Sequence, residues 1–303
     1  MDNLQKIRIW IKGFRLRTLP LALSSTTLGS LLALSKKQFS IAVFIFASLT
    51  TLFLQILSNL ANDYGDTKNG KDNERRIGPM RITQTGMVTH RQIRWMITVF
   101  VILSLVSGSL LIFSGTRNVH FSTVVIFFLL GISAIYAAIK YTIGKNPYGY
   151  LGFGDFFVFI YFGIVGVAGT YYLHTHEFMP SILLPASALG LLSAGVLNLN
   201  NLRDIVSDTH TGKKTLVVRL GVRKAKIYHG LLLILSMVFS LIYTLLNFTS
   251  LYQLVYLITL PLFYLNIHTV VINTVPVELN NELKKLALST FLFSLTFGIG
   301  QII

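Results

Sequence analysis

Residues 40–62 read Ser-Ile-Ala-Val-Phe-Ile-Phe-Ala-Ser-Leu-Thr-Thr-Leu-Phe-Leu-Gln-Ile-Leu-Ser-Asn-Leu-Ala-Asn, without a charged side chain. A helix of this length crosses the hydrocarbon core of a bilayer, which takes roughly 20 residues. Similar apolar runs recur along the chain, and the predicted helices cover 19–35, 40–62, 95–114, 119–139, 153–173, 180–200, 227–247, 251–273 and 285–303. The sequence therefore predicts an all-α polytopic membrane protein with about nine transmembrane helices.

The composition of the 303 residues supports this fold class. Hydrophobic residues make up 53% of the chain and charged residues 12%, whereas about 25% of the residues of a soluble domain are charged. The mean hydropathy is +0.66. The chain has no cysteine, which excludes disulfides, thiolate catalysis and cysteine-ligated zinc.

The positive charges indicate the orientation in the membrane. Of the 26 Lys and Arg residues, 23 fall on one predicted side, and only Lys36, Lys37 and Arg117 fall on the other. The positive-inside rule makes the side with 23 residues cytoplasmic. We therefore expect a cytoplasmic N-terminus and an external C-terminus in the cell (inner) membrane. The net charge of +15 reflects this topology, and no nucleic-acid partner is predicted.

Two polar segments repeat at a constant spacing. Residues 59–71 align with residues 201–213 without gaps at an offset of 142, with six identities. Each segment ends an even-numbered predicted helix on the cytoplasmic side. This arrangement predicts a parallel repeat inside a single domain covering residues 1–303. Helices 2–5 and 6–9 form two four-helix units after helix 1, and the cytoplasmic loops at about 63–94 and 201–226 carry the active site.

The repeated segments carry oxygen ligands on one helical face. Residues three or four apart share a face of a helix, and both copies place asparagine and aspartate at this spacing. Oxygen ligands suit Mg²⁺, which usually takes further ligands from substrate phosphate. We therefore predict that two Mg²⁺ ions bind between the segments across a diphosphate. The alternative for a single cluster is helix capping, but duplication at a fixed offset favours a metal–phosphate site. The predicted metal ligands are Asn59, Asn62, Asp63, Asp66, Asn201, Asp204 and Asp208.

Five stretches together resemble a known family. They are residues 59–66, 72–81, 146–155, 200–208 and 212–221. In these stretches the chain resembles the UbiA superfamily of intramembrane prenyltransferases. The closer resemblance is to the branch of this superfamily that prenylates 1,4-dihydroxy-2-naphthoate in menaquinone biosynthesis. The sequence departs from the general superfamily pattern at one position. A third aspartate of the first motif would fall at Gly70, and the acid comes instead at Asp72.

The resemblance implies a Mg²⁺-dependent transfer of a polyprenyl group from polyprenyl diphosphate to the naphthoate ring. The ring carboxylate leaves as CO₂, and the product is of the demethylmenaquinone type. The implied catalytic residues are Asp63, Asp66, Asp204 and Asp208, and the prenyl tail is expected to remain in the lipid bilayer.

Further residues near the motifs are candidates for binding the diphosphate or the aromatic substrate. These are Lys140, Arg81, Arg203, Lys71, Lys213, Tyr64 and Tyr148. Tyr150 is a further candidate, which with Tyr64 and Tyr148 could orient the ring or stabilise the cation. Lysines and tyrosines at a membrane interface also serve as ordinary anchors, which is the alternative interpretation of these residues.

Other functions remain open at this point. The serious competitor is another aromatic prenyltransferase of the same superfamily, with 4-hydroxybenzoate, homogentisate or haem as acceptor. A transporter is less consistent with the sequence, because transporter sites lie near the bilayer midplane. A non-catalytic scaffold would not require duplicated acids. The sequence indicates neither the prenyl chain length nor the oligomeric state.

Overall fold

The computed structural model describes residues 3–71, 78, 81–83, 86–117 and 119–303. Across these residues the regular structure is entirely helical, as predicted. The helices are α1 (Asn3–Phe14), α2 (Leu19–Ser35), α3 (Ile41–Lys68), α4 (His90–Gly115), α5 (Phe121–Lys140), α6 (Gly154–Thr175), α7 (Leu183–His210), α8 (Leu216–Leu246), α9 (Leu251–Ile272) and α10 (Leu279–Gly300).

Nine of the helical segments in the described ranges are long and apolar enough to cross a membrane. This confirms the predicted number of spans. Helix α1 was not predicted. The first candidate span, Ile7–Ser35, includes most of α1, and the α1 residues Ile9, Trp10 and Phe14 pack against a core formed by α3 and α4. Arg15, with a left-handed backbone (φ 51°), joins α1 to the short turn that leads into α2.

The two helices that carry the polar motifs are longer than their apolar runs predict. Helix α3 continues to Lys68 instead of ending at residue 62, and α7 continues to His210 instead of residue 200. Helix α8 begins at Leu216, earlier than the predicted residue 227. Hydropathy detects only the part of a helix that lies in hydrocarbon. Residues 63–68 and 201–210, which fall within the predicted loops, are therefore helical, and the motifs lie on the last turns of α3 and α7.

Helices α3 and α7 end in the same local structure. The Lys71 N–H donates to the Asp66 carbonyl over 2.8 Å, and the Lys213 N–H donates to the Asp208 carbonyl over 2.9 Å. Gly70 and Gly212 adopt left-handed backbones with φ of 64° and 71°. This is the Schellman arrangement, in which a left-handed residue lets the chain satisfy the last carbonyl groups of a helix. The two segments related by the offset of 142 therefore turn away from their helices in the same way.

The helices pack into two apolar cores. One core lies among α1, α3, α4 and α5, and the larger one among α2, α6 and the helices from α7 to α10. Helices α6 and α7 pack closely at Gly163 and Gly190. A Cβ at Gly163 would lie 2.5 Å from the Ala186 carbonyl oxygen, so a larger side chain would separate the two helices. This close packing forms one wall of the space between α3 and α7.

Candidate active site

A cavity of about 320 Å³ lies between α3 and α7. Each helix contributes seven lining residues. For every lining residue on α3, the residue 142 positions later, on α7, also lines the cavity. The α3 residues are Thr51, Leu54, Gln55, Ser58, Asn59, Asn62 and Asp66. The α7 residues are Ser193, Val196, Leu197, Asn200, Asn201, Asp204 and Asp208. The correspondence therefore extends beyond the motifs, and both helices present the same face to one cavity.

The polarity of the cavity changes along the two helices. Acidic and amide side chains line its end near the helix C-termini, as shown by Asp66 and Asp208. Further along, Leu54 and Val196 occupy equivalent positions, and side chains of α2, α5 and α6 add mainly apolar surface. The cavity therefore has a polar end near the helix C-termini and an apolar end further along the two helices.

Asp66 receives contacts from both halves of the protein. Its carboxylate is 2% exposed and forms an ion pair with Arg81. The Lys213 ammonium lies 3.2 Å from Asp66 Oδ2 and 3.4 Å from Asp208 Oδ1. The same lysine thus contacts the last acid of each motif. Buried carboxylates are costly unless paired, and these pairs compensate the negative charge at the polar end of the cavity.

Asp63 lies beside the cavity lining rather than within it. It is 1% exposed, and its carboxylate forms ion pairs with Arg15 and, over 3.0 Å, with Arg81. The offset position on α7 is Ile205, so this acid has no counterpart in the second motif. Arg81 joins Asp63 to Asp66, and it lines the cavity.

Asp204 is held by the residue before it. Arg203 donates to both Asp204 carboxylate oxygens, over 2.9 Å and 2.6 Å. The guanidinium also donates to the side-chain oxygens of Asn200 and Asn280 over 2.8 Å and 2.9 Å. Arg203 is 1% exposed and is not one of the cavity-lining residues. Arg203 therefore orients the Asp204 carboxylate without lining the cavity itself.

The two asparagines of the first motif are also held by neighbouring segments. Asn62 Oδ1 accepts a hydrogen bond from the Thr142 hydroxyl over 3.2 Å. The Asn59 amide donates to the Phe14 carbonyl over 3.0 Å and to the Thr18 hydroxyl over 3.2 Å. The α1–α2 connection and the segment after α5 therefore fix the orientation of these amides.

Three tyrosines from the segment between α5 and α6, Tyr141, Tyr148 and Tyr150, line the cavity. The Tyr150 hydroxyl donates to Asp66 Oδ1 over 2.5 Å, and its ring lies 5.1 Å from the Lys213 ammonium. Burial, followed by the nearby Asp66 carboxylate, raises the pKa of Tyr150 above its ordinary value, so the hydroxyl stays protonated. The Tyr148 ring stacks on Phe157 with centroids 4.1 Å apart. Burial raises the pKa of Tyr148 too.

Besides Asp63 and Arg203, three more predicted residues lie outside the cavity lining. Tyr64 packs against His90 with ring centroids 5.8 Å apart; it is two positions from both Asn62 and Asp66, which turns it to the other side of the helix. The Lys140 ammonium donates to the Lys145 carbonyl over 2.7 Å. The Lys71 ammonium donates to the Thr211 carbonyl. Asp72 lies outside the described residues.

The structure adds cavity residues that the sequence interpretation missed. Arg15, Gln55, Ser58 and Thr142 line the cavity. Extending the offset of 142 upstream would have indicated Ser58, whose counterpart is the polar Asn200. Arg15 is one of the positive charges that indicate orientation, and nothing in its local sequence distinguishes it from the neighbouring basic residues.

The donor set fits Mg²⁺ that binds together with a phosphate. Among the described residues, no three His, Cys, Asp or Glu side chains converge in a metal-binding cluster. The cavity instead presents Asn62 and Asp66 from α3 and Asp204 and Asp208 from α7. Mg²⁺ typically keeps several waters and binds one or two carboxylates plus substrate phosphates. Oxygen donors on two sides of a cavity are consistent with such a shared site.

Comparisons with known proteins agree with this geometry. The model of the UbiA prenyltransferase family matches residues 22–295. The 1,4-dihydroxy-2-naphthoate octaprenyltransferase of Haemophilus influenzae is 41% identical, over 99% of this chain and 97% of its own length. The Escherichia coli enzyme of the same name is 39% identical, over 99% and 96%.

Solved structures share the fold. A UbiA homolog from Aeropyrum pernix K1 aligns with a TM-score of 0.68 and 16% identity, over 93% of this chain and 96% of that one. A UbiA homolog from Archaeoglobus fulgidus bound to GPP and Mg²⁺ aligns with a TM-score of 0.62 and 15% identity, over 97% and 99%.

Proposed function

Because the chain belongs to the UbiA prenyltransferase family, we propose that it transfers a polyprenyl group from polyprenyl diphosphate to 1,4-dihydroxy-2-naphthoate in menaquinone biosynthesis. One observation carries the proposal: α3 and α7 present equivalent faces to a single cavity, with acids at the polar end and apolar side chains beyond. A lipid diphosphate has the same division between an anionic head and an apolar tail. The naphthoate acceptor follows from the names of the relatives at 39% and 41% identity.

We propose that Mg²⁺, as two ions, binds the diphosphate at the polar end of the cavity. Asn62 and Asp66 would hold it from α3, and Asp204 and Asp208 from α7, with Asn59 and Asn201 one turn further in. When bound, Mg²⁺ neutralises the negative charge that develops on the leaving diphosphate. Asp63 would act through Arg15 and Arg81, which it holds by ion pairs.

The basic residues of the site would stabilise the same charge. Arg81 and Lys213 line the cavity beside Asp66, so both are placed to reach a diphosphate oxygen. Preorganised cations are most effective where charge develops during the reaction. Arg203 would keep Asp204 in position. Lys71 and Lys140 lie outside the cavity lining, so their charges would act on the diphosphate only at a distance.

The apolar part of the cavity would hold the prenyl chain and exclude water. Departure of the diphosphate leaves an allylic cation, which water would hydrolyse if it had access. The stacked rings of Tyr148 and Phe157 line this region, and aromatic faces attract cations. The remaining tail would extend into the lipid bilayer.

The acceptor ring would attack the allylic cation with its electron-rich carbon. The carbon–oxygen bond to diphosphate has then already broken, and a carbon–carbon bond forms between the ring and the cation. Attack by the carbon that bears the carboxylate requires CO₂ to leave before the ring regains aromaticity. The product is then the demethylmenaquinone skeleton in its quinol form, with pyrophosphate and CO₂ released.

The protein is an integral membrane protein. We propose that the membrane is the cell (inner) membrane, with the polar end of the cavity and the N-terminus in the cytoplasm and the C-terminus outside. The distribution of Lys and Arg supports this orientation, since 23 of the 26 fall on the predicted cytoplasmic side.

A panel of aromatic acceptors tests the proposal. Purified protein would be incubated with one polyprenyl diphosphate and with 1,4-dihydroxy-2-naphthoate, 4-hydroxybenzoate, homogentisate or haem, and the products identified by mass. We expect a prenylated product only from the naphthoate, lighter by CO₂ than simple addition would give, and none in EDTA. A prenylated 4-hydroxybenzoate that keeps its carboxylate would instead assign the chain to another branch of the family.

A further inference from the structure

The lysines that follow the two motifs differ in what their side chains contact. Lys71 and Lys213 occupy equivalent positions, and their backbones make equivalent hydrogen bonds. The Lys213 ammonium nevertheless lies 3.2 Å from Asp66 and 3.4 Å from Asp208. The Lys71 ammonium instead contacts a backbone carbonyl, that of Thr211. The repeat is therefore asymmetric at this point, with one lysine inside the acidic site and one outside it.

Lys213 lies where a divalent cation would be held between the motifs. Its ammonium contacts one carboxylate from α3 and one from α7, and its side chain is only 11% exposed. A cation in this position neutralises the carboxylates and repels a second cation at close range. A metal ion that bridges Asp66 and Asp208 would therefore require the ammonium to move.

We propose that Lys213 is an internal competitor of Mg²⁺ that makes metal binding depend on the lipid diphosphate. The inference rests on the proposed function, since it assumes that the diphosphate enters this cavity. Without diphosphate, Lys213 occupies the carboxylates and keeps the affinity for the metal low. With diphosphate present, the ammonium transfers to a phosphate oxygen and no longer occupies the two carboxylates. Metal and diphosphate then bind cooperatively, and each raises the affinity for the other by the same factor.

The geometry supports a short movement of this kind. The Lys213 ammonium is also 5.1 Å from the centre of the Tyr150 ring, and an aromatic face stabilises a cation without fixing its position. After the movement Asp66 would keep its ion pair with Arg81 and its hydrogen bond from Tyr150. Asp208 would lose its contact with Lys213 and become available as a ligand.

Mn²⁺ binding measured by electron paramagnetic resonance tests this proposal without turnover. The protein would be titrated with Mn²⁺, alone and with geranylgeranyl S-thiolodiphosphate, a prenyl diphosphate analogue that resists cleavage. We expect Lys213→Met to bind Mn²⁺ at least tenfold more tightly than wild type when the analogue is absent. The analogue should then improve Mn²⁺ binding much less in the variant than in wild type.

Two variants serve as controls. Lys71→Met removes the equivalent charge from outside the carboxylate pair and should leave Mn²⁺ affinity without analogue unchanged. Lys213→Arg keeps the charge and should keep the affinity low. Thermal unfolding of each variant in detergent establishes that it is folded. The inference would be overturned if folded Lys213→Met bound Mn²⁺ no more tightly than wild type does. It would also be overturned if Lys71→Met gained as much Mn²⁺ affinity as Lys213→Met.

The Mn²⁺ titration and the prenylation assay together distinguish failure of the inference from failure of the proposed function. If wild type prenylates the naphthoate but Lys213→Met shows no gain in Mn²⁺ affinity, only the role of Lys213 is wrong. If no acceptor is prenylated while Lys213→Met binds Mn²⁺ more tightly in the absence of analogue, the competition stands and the proposed reaction is wrong.

Discussion

Asp66 and Asp208, at equivalent positions of α3 and α7, lie within 3.2 Å and 3.4 Å of the same ammonium group. They are 142 residues apart in the sequence. The backbone carbonyl of each accepts the hydrogen bond of the Schellman turn that ends its helix. The fold thus brings the last acids of two repeated segments to one point, where they can act on a single ligand.

Thiol cross-linking tests the proximity of these two positions. The chain has no cysteine, so Asp66→Cys/Asp208→Cys contains only the two introduced thiols. Dibromobimane becomes strongly fluorescent when both of its reactive groups are displaced by neighbouring thiols. We expect fluorescence from the double variant and background values from each single variant. A double variant that is labelled no more than the single variants would contradict the arrangement of α3 and α7.

Tyr150→Phe removes the hydroxyl that donates to Asp66 over 2.5 Å. We expect about a tenfold loss of kcat/KM, since a hydrogen bond to a charged group contributes roughly 1.5–3 kcal/mol and Arg81 still holds the carboxylate. Tyr64→Phe, outside the cavity lining, should stay within about twofold of wild type. Equal losses in the two variants would contradict the assignment of Tyr150 to the site.

The pH profile gives a separate test of Tyr150. The raised pKa of Tyr150 keeps its hydroxyl in the neutral, donating form from about pH 6 to 9, because even an ordinary tyrosine titrates only near pH 10. Tyr150→Phe should therefore lower the rate without changing the alkaline limb of the pH–rate profile. If that limb disappears in the variant, the hydroxyl titrates in this range and the raised pKa is wrong.

Arg203→Ala should destabilise the protein. The guanidinium is buried and holds Asp204, Asn200 and Asn280, and removal of one partner of a buried ion pair costs about 3–5 kcal/mol. We expect a clear fall in the Tm measured in detergent. Arg223→Ala, which truncates an exposed arginine, should leave Tm nearly unchanged. An Arg203→Ala protein as stable as Arg223→Ala would show that this network contributes little to stability.

Gly65→Ala tests the contact between α3 and the segment that carries Tyr150. A Cβ at position 65 would lie 2.6 Å from the Thr142 hydroxyl and 2.7 Å from its carbonyl oxygen, so this segment must shift. We expect at least tenfold lower activity, because displacements near 1 Å at an active site can cost roughly 10²-fold. Gly131→Ala on α5 has no atom within 4 Å of its added Cβ and should keep near-normal activity. Equal activity of the two variants would contradict this explanation.

Sequence patterns predicted much of the fold, because each apolar run of membrane-spanning length has few alternatives to a transmembrane helix. They did not predict where α3 and α7 end. Asn59 to Asp66 and Asn201 to Asp208 continue their helices beyond the hydrocarbon through ion pairs and hydrogen bonds with distant residues such as Arg81 and Thr142. Hydropathy contains no information about these partners.

The side chains around the motifs were harder to predict than the motifs themselves. The sequence does not distinguish Lys213 from Lys71, since both follow the same Gly-Lys turn; only packing separates them. Tyr64 and Tyr150 were similar interfacial candidates, but helical rotation turns Tyr64 away while the α5–α6 connection brings Tyr150 onto Asp66. Arg15 pairs with Asp63 and has a left-handed backbone, and the sequence indicated neither.

The most direct test compares product formation by wild type, Asp66→Asn and Asp208→Asn with polyprenyl diphosphate, 1,4-dihydroxy-2-naphthoate and Mg²⁺. Exposed Glu177→Gln serves as the control. The proposed function predicts a decarboxylated, prenylated product from wild type and from Glu177→Gln. Each Asp→Asn variant, still folded by thermal unfolding, should be at least about 10²-fold slower, the scale of losing one preorganised electrostatic contact. Near-normal product formation by either Asp→Asn variant would contradict a diphosphate site shared between α3 and α7.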